Sequence, residues 1–405
     1  MIGKSSLKAA FCVGLVALAG CELPEAPDFR KDVQAVCTAL PETYAYFDGR
    51  APYWDEACAA RMAELGPTST GAELLVALET LIDDLYEPHM SLTINSATSP
   101  YLVPSGADVW FEARGEAFVV TAIRSGSGAA QTDLALGDTL VRFNGLDPDA
   151  LMRTRISAGA DHLPQARTAW ALNAAIAGNR GAPREIEVMR GNRVLAFSLG
   201  AAEPAPQEAT LRYRKLGGNI GYVRFHNSLG DADTVTAFAG IIPALADTDG
   251  LILDLRDTPS GGSTDVAEPI LGHFVQSKQA YQMVVPIRKK TYLAEVSPVA
   301  SQTYGGPVIV LVGRWTGSMG EGMAVGLDGM ERALIMGDSM AGLAGGIEEL
   351  VLGESQFTLQ YPAYGLNHID GTPRHEWAPS PQQTADFGNG EDLLLQAARA
   401  ALGGS

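Results

Sequence analysis

The chain has 405 residues, 46% of them hydrophobic, and 47 acidic against 29 basic side chains give a formal net charge of −18. That length is too great for one ordinary core and predicts two or three domains. The acidic balance excludes a general electrostatic attraction to nucleic acid or anionic lipid.

In chain order, residues 1–20 read as a secretory signal. Lys4 and Lys8 make a positive start, and Ala9 to Leu18 make an apolar run too short to span a bilayer. The following Leu18-Ala19-Gly20-Cys21 resembles the bacterial lipoprotein box, which implies lipid on Cys21 as the only hold on a membrane. Glu22 stands at the next position. By the same resemblance it leans away from inner-membrane retention, toward an outer-membrane lipoprotein facing the periplasm. Residues 21–30, with Pro24 and Pro27, read as a tether. Cys12 leaves with the signal. Cys37 and Cys58 stay in an oxidising compartment, on two predicted helices, either as a disulfide or as two buried thiols.

Residues 31–98 predict a small helical cap. Val33, Val36, Leu40, Tyr44 and Phe47 carry one helical pattern, and Leu74, Leu78 and Leu81 form the stripe of another over 70–86. Pro88 breaks the pattern within Glu87-Pro88-His89-Met90-Ser91-Leu92. Residues 104–203 predict a β-rich unit, with strands at Val109 to Glu112, Ala117 to Ile123, Thr139 to Phe143, Glu185 to Met189 and Val194 to Leu199. Residues 208–402 alternate strands with helices and predict an α/β core.

Within that core, Val308 to Val312 is a β-branched run that reads as a buried strand, followed by a turn, Ser318, and a helix start near Glu321. A serine there is either a helix cap or a nucleophile presented on a tight turn, with free N–H groups beside it for an oxyanion. Ser260-Gly261-Gly262, after the apolar run Leu251 to Leu255, is a plain turn or a second source of such N–H groups. Six histidines and the cysteines show no metal-ligand spacing, and neither metal nor cofactor is expected.

Two resemblances follow. Gly137-Asp138-Thr-Leu-Val-Arg-Phe-Asn144-Gly145, after a small-residue segment from Ser125, resembles the PDZ pattern; the bland alternative is an unrelated β-barrel with an Asn-Gly hairpin. This unit, the Glu-Pro-His junction, the Asp254 to Gly262 segment, the Ser318 turn and Arg332 to Gly337 together resemble the tail-specific (C-terminal processing) serine peptidases. The resemblance implies an α/β fold: a crotonase-like/Clp-protease-like ββα spiral core with a helical cap and a PDZ-like insert. It also implies polypeptide substrates, presented by C-termini on the insert. Of the family's two catalytic schemes, the Ser–Lys dyad is excluded, because no lysine follows Ser318. The tricorn-core-like Ser/His/Glu branch remains. Its pattern implies His89 as base and Glu376, in Gly371-Thr-Pro-Arg-His375-Glu376-Trp-Ala-Pro379, as the carboxylate that orients it.

Met319, Gly261 and Gly262 are then the expected oxyanion donors. Asp254 and Arg256 read as a structural pair. His375 and Glu321 are rivals for base and carboxylate, and no relay hydroxyl beside His89 is identifiable, since its neighbour is Pro88. The expected activity is acyl-enzyme hydrolysis of peptide bonds on Ser318. The alternative is a catalytically inactive binding lipoprotein of the same fold. Acyl-CoA chemistry on that fold is disfavoured by the export signal.

Overall fold

A computed structural model describes residues 26–156, 165–299, 302–383, 387–388 and 391–403. The signal, Cys21 and the first part of the tether lie outside the described residues.

The cap is α1 (Arg30–Thr43), α2 (Trp54–Glu64) and α3 (Gly71–Asp83). Helix α3 opens on a capping box, in which the Thr70 hydroxyl accepts from the Glu73 N–H and the Glu73 carboxylate accepts from the Thr70 N–H. Its Leu74, Leu78 and Leu81 bury against Val33, Val36 and Leu40 of α1. Cys37 and Cys58 are joined as a disulfide between α1 and α2. Helix α1 stops earlier than its apolar pattern predicts. Tyr44 is already extended and sends its hydroxyl to Glu87 instead of continuing the helix.

After β1 (Ser91–Leu92) comes a β-rich unit of β2 (Val109–Arg114), β3 (Ala117–Ile123), β4 (Thr139–Phe143), α4 (Pro148–Arg153), α5 (Gln165–Ala177), β5 (Glu185–Arg190) and β6 (Arg193–Ser198). Its strands form one antiparallel sheet in sequence order, so β2 is an edge. Helix α5 is not predicted by its sequence, and the reason is visible. Leu172, Ala175 and Ile176 pack into the unit's core, while Ala174 and Ala177 pack against Val103 and Ala107. A helix buried on two sides shows no single apolar stripe.

The remaining chain runs β7 (Leu211–Leu216), β8 (Ile220–Phe225), α6 (Asp233–Leu245), β9 (Gly250–Asp254), α7 (Thr264–Leu271), β10 (Gln279–Pro286), β11 (Tyr292–Val296), β12 (Val308–Val312), α8 (Met319–Gly329), β13 (Leu334–Gly337), β14 (Gly346–Val351), β15 (Thr358–Asn367) and α9 (Leu393–Ala401). Strands β13-β12-β9-β8-β7 form the core sheet, parallel except for β7. Every residue of β9 and β12 is buried, as expected of central parallel strands covered on both faces. A second, antiparallel sheet has the order β1-β15-β10-β11, with β14 also on β15. Because β1 joins this sheet through Ser91 and Leu92, the residues just before it are carried from the cap onto the core. The α/β core with a helical cap and a β-rich unit is the architecture the sequence predicts. The second sheet is largely new, for only a strand from Ser91 and one at Phe357 to Tyr361, the start of β15, are expected from the sequence.

Candidate active site

Ser318 sits between β12 and α8, at φ +48° and ψ −107°, a conformation L-residues rarely adopt. Such backbone persists only where its surroundings enforce it. Here Glu321, wholly buried on the first turn of α8, accepts the Ser318 N–H at 2.7 Å. The same carboxylate accepts the N–H groups of Gly342 at 2.9 Å and Leu343 at 3.1 Å. Glu321 therefore does more than sit near the helix dipole: it ties the serine turn to the 342–345 segment.

His89 faces the serine, with Nε2 3.0 Å from Ser318 Oγ. Its Nδ1 lies 2.6 Å from the carbonyl oxygen of Ala344. A carbonyl oxygen only accepts, so Nδ1 carries the proton and Nε2 presents its lone pair to the hydroxyl. Burial, with a further push from the Arg374 charge, lowers the His89 pKa to about 4, so the ring is neutral at physiological pH.

Two further groups hold this geometry. Glu87, buried, accepts the His89 N–H at 3.0 Å, the Tyr44 hydroxyl at 2.9 Å and Arg50 at 2.8 Å, which fixes the base to the cap. Arg374, 2% exposed, donates to the carbonyl oxygens of Leu343 at 3.1 Å and Gly345 at 2.9 Å, one on each side of Ala344. Burial raises Glu321 to about 7, against the opposing pull of Arg374. None of Glu87, Arg374 and Ala344 was singled out from sequence. The first two adjoin residues that were, in Glu-Pro-His and Arg-His-Glu. The third acts through its backbone, which side-chain motifs do not report.

Glu376, expected as the orienting carboxylate, is not brought to His89. Its side chain is 67% exposed and stands 3.8 Å from His375 Nε2, while the Nδ1 partner of His89 is Ala344. The 3₁₀ turn Arg374–Glu376 turns the arginine inward and the glutamate toward solvent. His375 packs edge-on against Tyr46, and burial lowers its pKa to about 4; His89 is the histidine brought to Ser318.

The glycine turn lies against the serine. A Cβ on Gly261, at φ +64°, would come 2.8 Å from the Met319 nitrogen and 2.9 Å from Ser318 Oγ. Only glycine leaves this space open. The Gly261 N–H, an expected oxyanion donor, is spent on Thr258 O at 3.0 Å. The N–H groups of Met319 and Gly262 have no hydrogen-bond partner among the described residues. Asn227 clasps this turn, its amide bonding both the N–H and the hydroxyl of Ser260. Thr258 pairs with Thr316, locking the two loops together. Asp254 and Arg256 are structural, as expected. Tyr222 donates to Asp254 at 2.6 Å, and Arg256 bridges Asp254 and Asp392. Among the described residues no cluster of His, Cys, Asp and Glu is placed to hold a metal.

The sequence matches the profile of Peptidase family S41 over residues 219–381. This match to peptidase family S41, the tail-specific proteases, takes in the parallel strands of the core sheet and the serine turn. An S41 profile covering β8 to the 374–376 turn contains Ser318, the glycine turn and Arg374, whereas His89 comes from outside it. The fold is shared with mature CPAF complexed with lactacystin (14% identity over 93% of this chain and 97% of that one, TM-score 0.59). It is shared also with the photosystem II D1 C-terminal processing protease (14% identity, 91% and 97%, TM-score 0.58). A lipoprotein from Streptococcus agalactiae is similar at 13% identity over 95% and 99%, with a TM-score of 0.50. At these identities the likeness concerns fold. The activity class, a serine peptidase, comes with the family.

Proposed function

We propose that this S41 peptidase is an endopeptidase of the bacterial envelope that cleaves polypeptides through an acyl-enzyme on Ser318. The observation that carries the reading is the 3.0 Å approach of His89 Nε2 to Ser318 Oγ, with Nδ1 committed to Ala344 O. Ser318 Oγ attacks the substrate carbonyl as His89 Nε2 takes its proton. The oxyanion is held by the N–H groups of Met319 and Gly262. The imidazolium then protonates the leaving amine, and a water molecule activated by the same nitrogen hydrolyses the ester. The orienting acceptor is a neutral carbonyl, so Arg374 and Glu321 serve by fixing the 342–345 segment rather than by pairing with the imidazolium.

The lipoprotein box supports attachment through Cys21, facing the periplasm. Residues 31–98 act as cap, 104–203 as a PDZ-like module that guides polypeptide, and 208–402 as the catalytic core. The test is incubation of the soluble chain from residue 22 with unfolded casein. Fragments from the wild type and none from Ser318→Ala support the reading. No cleavage by a folded wild type supports the inactive binding lipoprotein instead.

A further inference from the structure

An extended polypeptide joins a sheet by hydrogen-bonding an edge strand whose outward N–H and C=O groups are free. Strand β2 is an edge of its sheet, and a cavity of about 330 Å³ lies along it, lined by Trp110, Phe111 and Asn173. Pro88 and Ala341 line the same cavity. The first adjoins His89, and the N–H of the second is bonded to the carbonyl of Thr316, two residues before Ser318. The cavity along the edge strand thus reaches residues that adjoin the catalytic pair, although Ser318 and His89 do not line it. The strand is also tied to the serine turn, since Glu112 of β2 pairs with Arg314 and Trp315 Nε1 donates to Ala107 O at 2.8 Å.

The edge is already occupied. Asn173 of α5, 2% exposed, accepts the Phe111 N–H on Oδ1 at 2.9 Å and returns Nδ2–H to the Phe111 carbonyl at 3.0 Å. Two residues of paired antiparallel strands exchange this same two-way bond. The side-chain amide stands where one residue of an added strand would stand. A third bond, Nδ2–H to Ala169 O at 3.0 Å, holds it to its own helix.

We propose that Asn173 is an internal latch on the substrate path: extended substrate polypeptide pairs with β2 only by displacing the Asn173 amide from Phe111. This deepens, and rests on, the peptidase reading above. The occupant is the polypeptide to be cleaved, because the latched strand is bonded to the serine turn through Glu112–Arg314 and its cavity runs to Pro88, the neighbour of His89.

The test uses the mature chain from residue 22 carrying Ser318→Ala, so that the probe is not cut. The probe is a fluorescein-labelled decapeptide of alternating valine and serine, followed by anisotropy. Removing two competing hydrogen bonds with Asn173→Ala is expected to tighten binding roughly tenfold to a hundredfold. Asn173→Asp keeps the acceptor for the Phe111 N–H and loses the donor, and should fall between the two. It carries the test if Asn173→Ala no longer melts cooperatively. Equal affinity in wild type and variants, or no binding in any, overturns the latch. Fluorophosphonate labelling of the chain with Ser318 and Asn173 intact reports the serine alone, so failure of the peptidase reading is seen separately.

Discussion

The carbonyl oxygen of Ala344 stands 2.6 Å from Nδ1 of His89, where a carboxylate was expected. That one contact sets the tautomer of the base. It also moves the burden of precision from a side chain to a backbone segment, which must itself be held. Arg374 grips it from both neighbours through Leu343 and Gly345, and Glu321 binds it to the nucleophile's own N–H.

Arg374→Met should therefore disable the site without touching Ser318 or His89. It leaves the buried carbonyls of Leu343 and Gly345 without their donor, a change that costs about 1–3 kcal/mol for each group. The fluorophosphonate labelling rate should fall about a hundredfold, since misplacing a catalytic group by about 1 Å has that effect. Thermal melts and labelling rates together check this.

Glu376→Gln should be almost silent. A side chain that is 67% exposed and far from the base's committed nitrogen should change the labelling rate by less than about threefold, equivalent to ~0.5 kcal/mol. A loss of two orders of magnitude would restore Glu376 to the catalytic role its motif position suggests.

The pH profile should reflect a buried base. Protonating His89 removes the lone pair that takes the serine proton, so the labelling rate falls as pH drops through about 4 rather than through the ordinary histidine value of about 6.5. The lowered value also means that the unfolded chain takes up the proton first. Stability then declines as pH falls from about 6.5 toward 4. Glu321, carried up to about 7, adds an inflection there as its hold on Ser318 weakens on protonation. That inflection should vanish in Glu321→Gln while the limb near 4 remains. Rates measured across the range in which the fold is intact decide this.

Gly261→Ala places a methyl group 2.9 Å from Ser318 Oγ at a backbone φ of +64°. Labelling should be nearly abolished, with a stability loss of about 1–3 kcal/mol from the strained backbone. Melting curves beside labelling would separate the two effects.

Much of this was legible in the sequence. The strand Val308–Val312 and the serine after it announce themselves by a β-branched run broken at a glycine-rich turn, and β3, β4 and β12 fall where their patterns put them. His89 was identifiable through the family resemblance, which puts the base at the cap junction that Pro88 marks. The misses have a common cause. Glu376 and Arg374 lie two residues apart on one tight turn, and which of them points inward is decided by tertiary packing. The Ala344 carbonyl carries no side-chain signature. Helix α5 is buried on two sides, and so lacks the stripe by which α3 was found. Strands β10, β11 and β14 belong to a sheet assembled from distant segments, which local patterning does not report.

The most direct measurement is the fluorophosphonate labelling rate of the purified chain from residue 22, beside Ser318→Ala and His89→Ala. The account predicts rapid labelling of the wild type, none of Ser318→Ala, and a rate for His89→Ala reduced by at least about a hundredfold, the scale of a lost general base. A folded wild type that does not label, or a His89→Ala variant that labels at the wild-type rate, would contradict it.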